Sequence, residues 1–109
     1  RDRWPRLPER ARQLPVPTRE ILPTRISSTH TVIEVNGRDM PGLLHRLTRT
    51  LAELGLQIQT ATVSTYGERV VDVFYVKDLF GLQVHNEARL TTIRDRLLEA
   101  FDQVSEAAE

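Results

Sequence analysis

Between Val32 and Val104 the apolar residues change period repeatedly, and this alternation commits the chain to a sheet backed by helices. His30 to Asn36 (HTVIEVN), with Val32, Ile33 and Val35, reads as a strand. Leucines then fall at 44, 47, 51 and 54, the i, i+3, i+7, i+10 spacing of one helix face. Pro41 suits a first helical turn, where its missing N–H leaves no bond unmade, and Gly55 suits a left-handed stop after Leu54. The spacing therefore predicts a helix over about Pro41 to Leu54. Two β-prone runs follow, Leu56 to Thr65 and Glu68 to Lys77, joined at Tyr66-Gly67 as a tight hairpin. After a loop from Asp78 to His85, Leu90, Ile93, Leu97, Phe101 and Val104 return to helical spacing, predicting a second helix over Asn86 to Val104. The acidic, Ala-rich residues 105–109 are expected to fray.

The order strand, helix, strand, strand, helix is a split βαβ arrangement that lacks one edge strand. Thr18 to Ile26 (TREILPTRI), partly β-prone and carrying Pro23, suits that edge, the one place in a sheet where a proline is tolerated. A turn at Ser27-Ser28-Thr29 connects it to the next strand. The predicted fold is α+β: a permuted ββαββα domain over residues 18–104, with four antiparallel strands and two helices on one face. Residues 1–17 read as a linker. Five of the six prolines lie in the first 23 residues, and residues 1–20 hold six arginines against Asp2, Glu9 and Glu20. The proline spacing forbids a continuous helix there. Trp4 has no assigned place, and the Arg-rich stretch reads as a solvated inter-domain tether, the alternative being an arm for an acidic partner. The first residue is Arg1, which suggests a piece of a longer protein.

Composition narrows the function classes. The chain has 109 residues, 15 Lys+Arg against 15 Asp+Glu, and no cysteine. One core is all that this length supports. A balanced charge argues against a protein built to neutralise phosphates. Without cysteine there are no disulfides, thiolate metal sites or cysteine nucleophiles. No apolar run approaches the ~20 residues of a membrane span, and no signal-peptide pattern opens the chain, so a cytoplasmic location is expected.

The stretch from Thr31 to Phe101 resembles an ACT domain, a small ferredoxin-like regulatory module that binds amino acids. Asp39-x-Pro41-Gly42-Leu43-Leu44 at a strand-to-helix junction carries the resemblance, strengthened by Tyr66-Gly67-Glu68-Arg69-Val70-Val71-Asp72-Val73-Phe74-Tyr75-Val76 and Asp78-Leu79-Phe80-Gly81. Within that family it is similar to the C-terminal ACT repeat of the bacterial bifunctional uridylyltransferase/uridylyl-removing enzymes, which modify the nitrogen-signalling protein PII. The resemblance implies glutamine sensing, pairing with another ACT domain, no cofactor in this chain, and catalytic centres elsewhere in the parent enzyme.

An amino-acid ligand needs a site for its carboxylate and one for its ammonium. The junction Asn36, Gly37, Arg38, Asp39, Met40, Pro41, Gly42, Leu43 and Leu44 is the candidate site. Backbone N–H groups of Gly42, Leu43 and Leu44 at a helix start favour an anion, Asp39 favours the ammonium, and Gly42 admits close approach. The plainer alternative is that Asp39 only caps the helix. In paired ACT domains a second copy completes the pocket, which maps onto Ile58, Gln59, Thr60 and Ala61. Asp72, inside an apolar strand, is expected to face solvent, a basic partner or an interface, since an unpaired buried carboxylate is costly. His30, His45 and His85 lack metal-ligand spacing, so no metal site is expected, and His45 is expected at the helix flank. No nucleophile elbow or phosphate-binding glycine loop is present, so no catalytic residue is assigned.

Three other readings have less support. An RNA-binding sheet would need aromatics on one face, whereas adjacent Phe74 and Tyr75 point to opposite faces. A small enzyme in its own right lacks any acid/base pair or nucleophile. A pure pairing module is the serious alternative, because the uncharged strand Leu56 to Thr65 leaves an edge open to another chain.

Overall fold

The computed structural model describes residues 19–24 and 29–108. The linker 1–17, Trp4 and the turn residues Ser27 and Ser28 lie outside them. In chain order the elements are β1 (Arg19–Thr24), β2 (Thr31–Arg38), α1 (Leu43–Glu53), β3 (Leu56–Tyr66), β4 (Arg69–Asp78) and α2 (Glu87–Ala108). The fold is α+β, an antiparallel sheet with two helices. The strands lie in the order β1-β2-β4-β3. β2 and β4 pair from Thr31↔Val76 to Arg38↔Arg69, and the β3–β4 hairpin pairs from Leu56↔Asp78 to Tyr66↔Arg69. β1 lies against β2, with Ile21 opposite Val35. β3 and β1 are therefore the two edges, and β3 carries a register shift between Ile58 and Thr60 that leaves Gln59 in a bulge.

Alternation along β4 separates the two faces of the sheet. Val70, Asp72, Phe74 and Val76 are buried, while Val71, Val73, Tyr75 and Lys77 are only partly so. The buried face joins Ile33 and Val35 of β2, Leu43, Leu47 and Leu51 of α1, and Leu90, Ile93, Leu97 and Phe101 of α2 in one core cluster, with Ile21 of β1 included. Phe74 and Tyr75 thus point to opposite faces, as the pattern requires. At the far end of the sheet, buried Thr31 accepts from the Val84 N–H (2.8 Å) and donates to the Val84 carbonyl (3.3 Å), which ties the loop after β4 to β2.

Helix boundaries follow from backbone chemistry. α1 begins at Leu43, two residues later than the position of Pro41 suggests, because Gly42 adopts φ +81°, a left-handed conformation that cannot belong to the helix. The buried stripe of α1 is consequently Leu43, Leu47, Thr50 and Leu51 rather than one led by Leu44, which is 43% exposed. At the other end Gly55, φ +78°, turns the chain as expected, its N–H bonded to the Ala52 carbonyl. The Arg89 guanidinium donates to the Leu54 carbonyl (3.1 Å), satisfying a terminal acceptor of the helix. Asn86 caps α2 by accepting from the Arg89 N–H (2.9 Å). α2 then continues to Ala108, through Glu and Ala residues of good helix propensity.

Because Phe74 is completely buried at the centre of this layer, Phe74→Ala is expected to cost ~3–5 kcal/mol of stability. Tyr75→Ala, on the other face, should cost clearly less. Urea denaturation of the two variants checks this.

Candidate functional site

The segment between β2 and α1 is held by the neighbouring hairpin. The Asp39 N–H donates to the Glu68 carbonyl in the β3–β4 turn (2.8 Å), and the Leu43 N–H donates to the Met40 carbonyl (3.2 Å). These bonds fold residues 39–42 into a tight corner with the Asp39 side chain exposed and Met40 buried. A Cβ added to Gly42 would meet no atom within 4 Å, so within this chain its glycine is required by the positive φ and not by crowding.

Asp39 does not cap the helix: α1 has no side-chain cap hydrogen bond and no acidic residue in its first turn. The positive end of the helix is therefore not offset by an acid of its own. Of the expected N–H donors, that of Leu43 is already engaged in the turn. The N–H groups of Leu44 and His45 lie at the helix start, ahead of the first bond from Arg46 N–H to the Gly42 carbonyl (3.0 Å).

Beside this helix start lies an open cavity of about 440 Å³. The β2–α1 corner lines it with Asp39, Met40 and Gly42, α1 with Leu43, Leu44 and His45, β3 with Val63, and β4 with Val70 and Asp72. Its size lies in the range of small-molecule pockets. Five of the nine junction residues expected at the site are thus brought together around it. Asn36 instead donates to the Glu34 carboxylate (2.9 Å) beside it in β2. Gly37 is buried within β2, while Arg38 and Pro41 are exposed next to the cavity-lining corner without forming its wall. Ile58, Gln59, Thr60 and Ala61 sit on the edge strand β3, Ile58 partly buried and the other three exposed, away from this cavity.

Asp72 corrects the expectation of a carboxylate facing solvent. It shares the inward parity of Val70, Phe74 and Val76 and is 1% exposed. Its Oδ1 is the one buried side-chain polar atom among the described residues with no hydrogen-bond partner. Burial, and secondarily the nearby Asp39 carboxylate, push its pKa up from 3.8 to about 6. Its place was readable from its even spacing with Phe74 and Val76, but the cost of an unpaired carboxylate argued the other way. His45, Val63 and Val70 also line the cavity without having been assigned to it, and only Val63 pairing opposite Asp72 across the hairpin explains how β3 reaches the site.

Comparison with known proteins bears on this arrangement. A family model described as the ACR family N-terminal ACT domain matches residues 26–102. That description says N-terminal, where the resemblance in the sequence pointed to a C-terminal repeat; the ACT domain is common to both. Proteins named bifunctional uridylyltransferase/uridylyl-removing enzyme are similar in several bacteria. The one from Rhodospirillum rubrum is 57% identical over 99 residues, 91% of this chain and 11% of the relative. That from Azospirillum brasilense is 59% identical over 92 residues, 84% of this chain and 10% of the relative. The chain spans about a tenth of the length of these curated relatives.

A carboxyl whose folded pKa is raised binds its proton more tightly in the folded state than in the unfolded one. The stability it contributes is complete below the unfolded value of 3.8 and is lost as pH rises through about 6. Asp72→Asn is therefore expected to stabilise the unliganded chain by ~1–3 kcal/mol at pH 7.5, with the gain shrinking towards pH 5. Urea midpoints of both proteins at the two pH values test the sign.

Proposed function

Since this chain belongs to the ACT-domain family, we propose that it is the glutamine-sensing regulatory domain of a uridylyltransferase/uridylyl-removing enzyme that acts on PII in bacterial nitrogen regulation. The observation that carries this reading is the pairing, within one cavity, of a helix N-terminus with two carboxylates. A zwitterionic amino acid has the complementary charges: its carboxylate suits the N–H groups and dipole of α1, and its ammonium suits Asp39. The apolar wall of Met40, Leu44 and Val63 leaves room for the aliphatic part of a side chain. We assign glutamine on the basis of the sequence resemblance.

In this reading the domain contributes no catalytic group and acts through its partner. The exposed β3 edge, with Gln59, Thr60 and Ala61, is the surface offered to a second ACT domain, and the uncharged strand leaves that edge free of the repulsion that would block pairing. Ligand bound at the paired domains biases the parent between uridylylation and its reversal, through its different affinity for the two arrangements. A domain that only pairs and passes on a signal bound elsewhere is the second reading, favoured by the same open edge.

NMR titration of the labelled chain with glutamine, using glutamate as the control, separates them. Sensing predicts selective shifts at Arg38–Leu44, with Ile58–Ala61 following if paired domains share the ligand. No shifts at saturating glutamine favour the pairing module. Asp39→Ala should weaken glutamine binding at least about tenfold, the effect of losing a charged hydrogen bond, while the melting temperature stays unchanged.

The same proposal takes β1 as an integral edge of a permuted ββαββα domain. Ile21 is buried in the shared core, so deleting residues 1–28 should lower stability by ~2–4 kcal/mol. An unchanged melting temperature would refute that role.

A further inference from the structure

Asp72 carries a buried carboxylate oxygen that nothing among the described residues satisfies. Its Oδ1 has no hydrogen-bond partner, and the residue lines the cavity together with Asp39. The groups facing it leave that need unmet. Its strand neighbours present Val35 from β2 and Val63 from β3. The β2–α1 corner presents the Asp39 carboxylate, and α1 presents His45 among apolar residues. No lysine or arginine is among the described residues lining the cavity. Two carboxylates at the wall of one apolar cavity repel each other. A small organic cation carrying N–H donors answers both the charge and the missing hydrogen bond.

We propose that Asp72 is a second receptor for the ligand's ammonium group, its buried carboxylate on β4 accepting in the same cavity as the exposed one of Asp39, and that ligand binding is thereby coupled to loss of a proton from Asp72. This rests on the amino-acid reading of the cavity. It adds a residue outside the β2–α1 corner and a regulatory consequence: effector affinity that depends on pH. An ammonium binds the ionised carboxylate and not the protonated one, so occupancy drives the Asp72 proton out to solvent. With the free carboxyl titrating at about 6, affinity holds steady above pH 7 and falls as the solution is acidified through that value. A β4 strand rooted in the core also makes Asp72 the deeper contact, while Asp39 stands at the mouth.

The test uses the 109-residue chain and L-glutamine, with 4-carbamoylbutanoate, which is glutamine lacking the α-amino group, as the probe of the ammonium contact. Calorimetric titrations at pH 5.0, 6.0 and 7.5 are expected to show glutamine binding about tenfold weaker at pH 5.0 than at 7.5. Asp72→Asn should bind glutamine more weakly at pH 7.5 and flatten that dependence, whereas the deaminated probe, which has no ammonium to lose a partner, should bind the variant no more weakly than the wild type. His45→Gln controls for the imidazole that lines the same cavity and should leave the dependence in place. Carbon-detected NMR of the Asp72 carboxyl in the wild-type chain reads the coupling without any substitution. Its midpoint should drop by at least one pH unit on saturation with glutamine. Glutamine binding with an unmoved Asp72 midpoint, or with a pH dependence abolished by His45→Gln and not by Asp72→Asn, overturns the proposal and leaves amino-acid sensing intact. Absence of glutamine binding at every pH overturns both.

Discussion

The antiparallel pairing of β2 with β4 is the contact on which the remaining structure rests. It runs the length of both strands and places Ile33, Val35, Phe74 and Val76 on one face, which neither strand could bury alone. The two helices cover that face, the β3 hairpin extends it on one side, and β1 adds Ile21 on the other. The strand–helix corner after β2 gains its position from the same pairing, because the turn that closes β3 onto β4 supplies the Glu68 carbonyl that binds Asp39.

The cavity is a consequence of this layer arrangement. Where β4 and the start of α1 line one cavity, the core is interrupted by a carboxylate, and the helix begins with a left-handed glycine instead of a side-chain cap. Either feature alone would cost stability with no return inside the folded chain: a buried charge without a partner, and a helix terminus without a capping oxygen. Their coincidence at one opening is what distinguishes the site from the rest of the molecule. Among the other described residues the buried side-chain polar groups are satisfied, as with Thr31 against Val84 and Thr50 against the Arg46 carbonyl.

The sheet's outer edge has a different character. β3 is largely exposed, uncharged and bulged at Gln59, so its residues 58–61 lie apart from the cavity of their own chain. On the proposed reading, any part they take in ligand binding comes from one domain acting on another. The proposed function thus places sensing and pairing on separate surfaces, joined through β4, which carries Asp72 and hydrogen-bonds to β3.

Much of the fold was legible in the sequence, because it is written in local terms. Periods of two and 3.6 marked the strands from His30 and through the hairpin and both helices, Gly55 marked the stop of α1, and the corner motif from Asp39 to Leu44 marked the cavity's rim. Tertiary structure decided what local terms leave open. The φ of Gly42 shifted the start of α1 and turned Leu43 inward in place of Leu44, since the phase of a helix depends on where its first residue sits. Asp72 was placed inside against the general penalty on buried carboxylates, because the inward parity of β4 is imposed by Phe74 and Val76 together and admits no exception for the residue between Val70 and Phe74. Val63 and His45 reached the cavity only through pairing and packing over long sequence separations. The amino-acid sequence by itself therefore determined the elements and the corner at the cavity's rim; only the three-dimensional packing determined that a second carboxylate lines the same cavity.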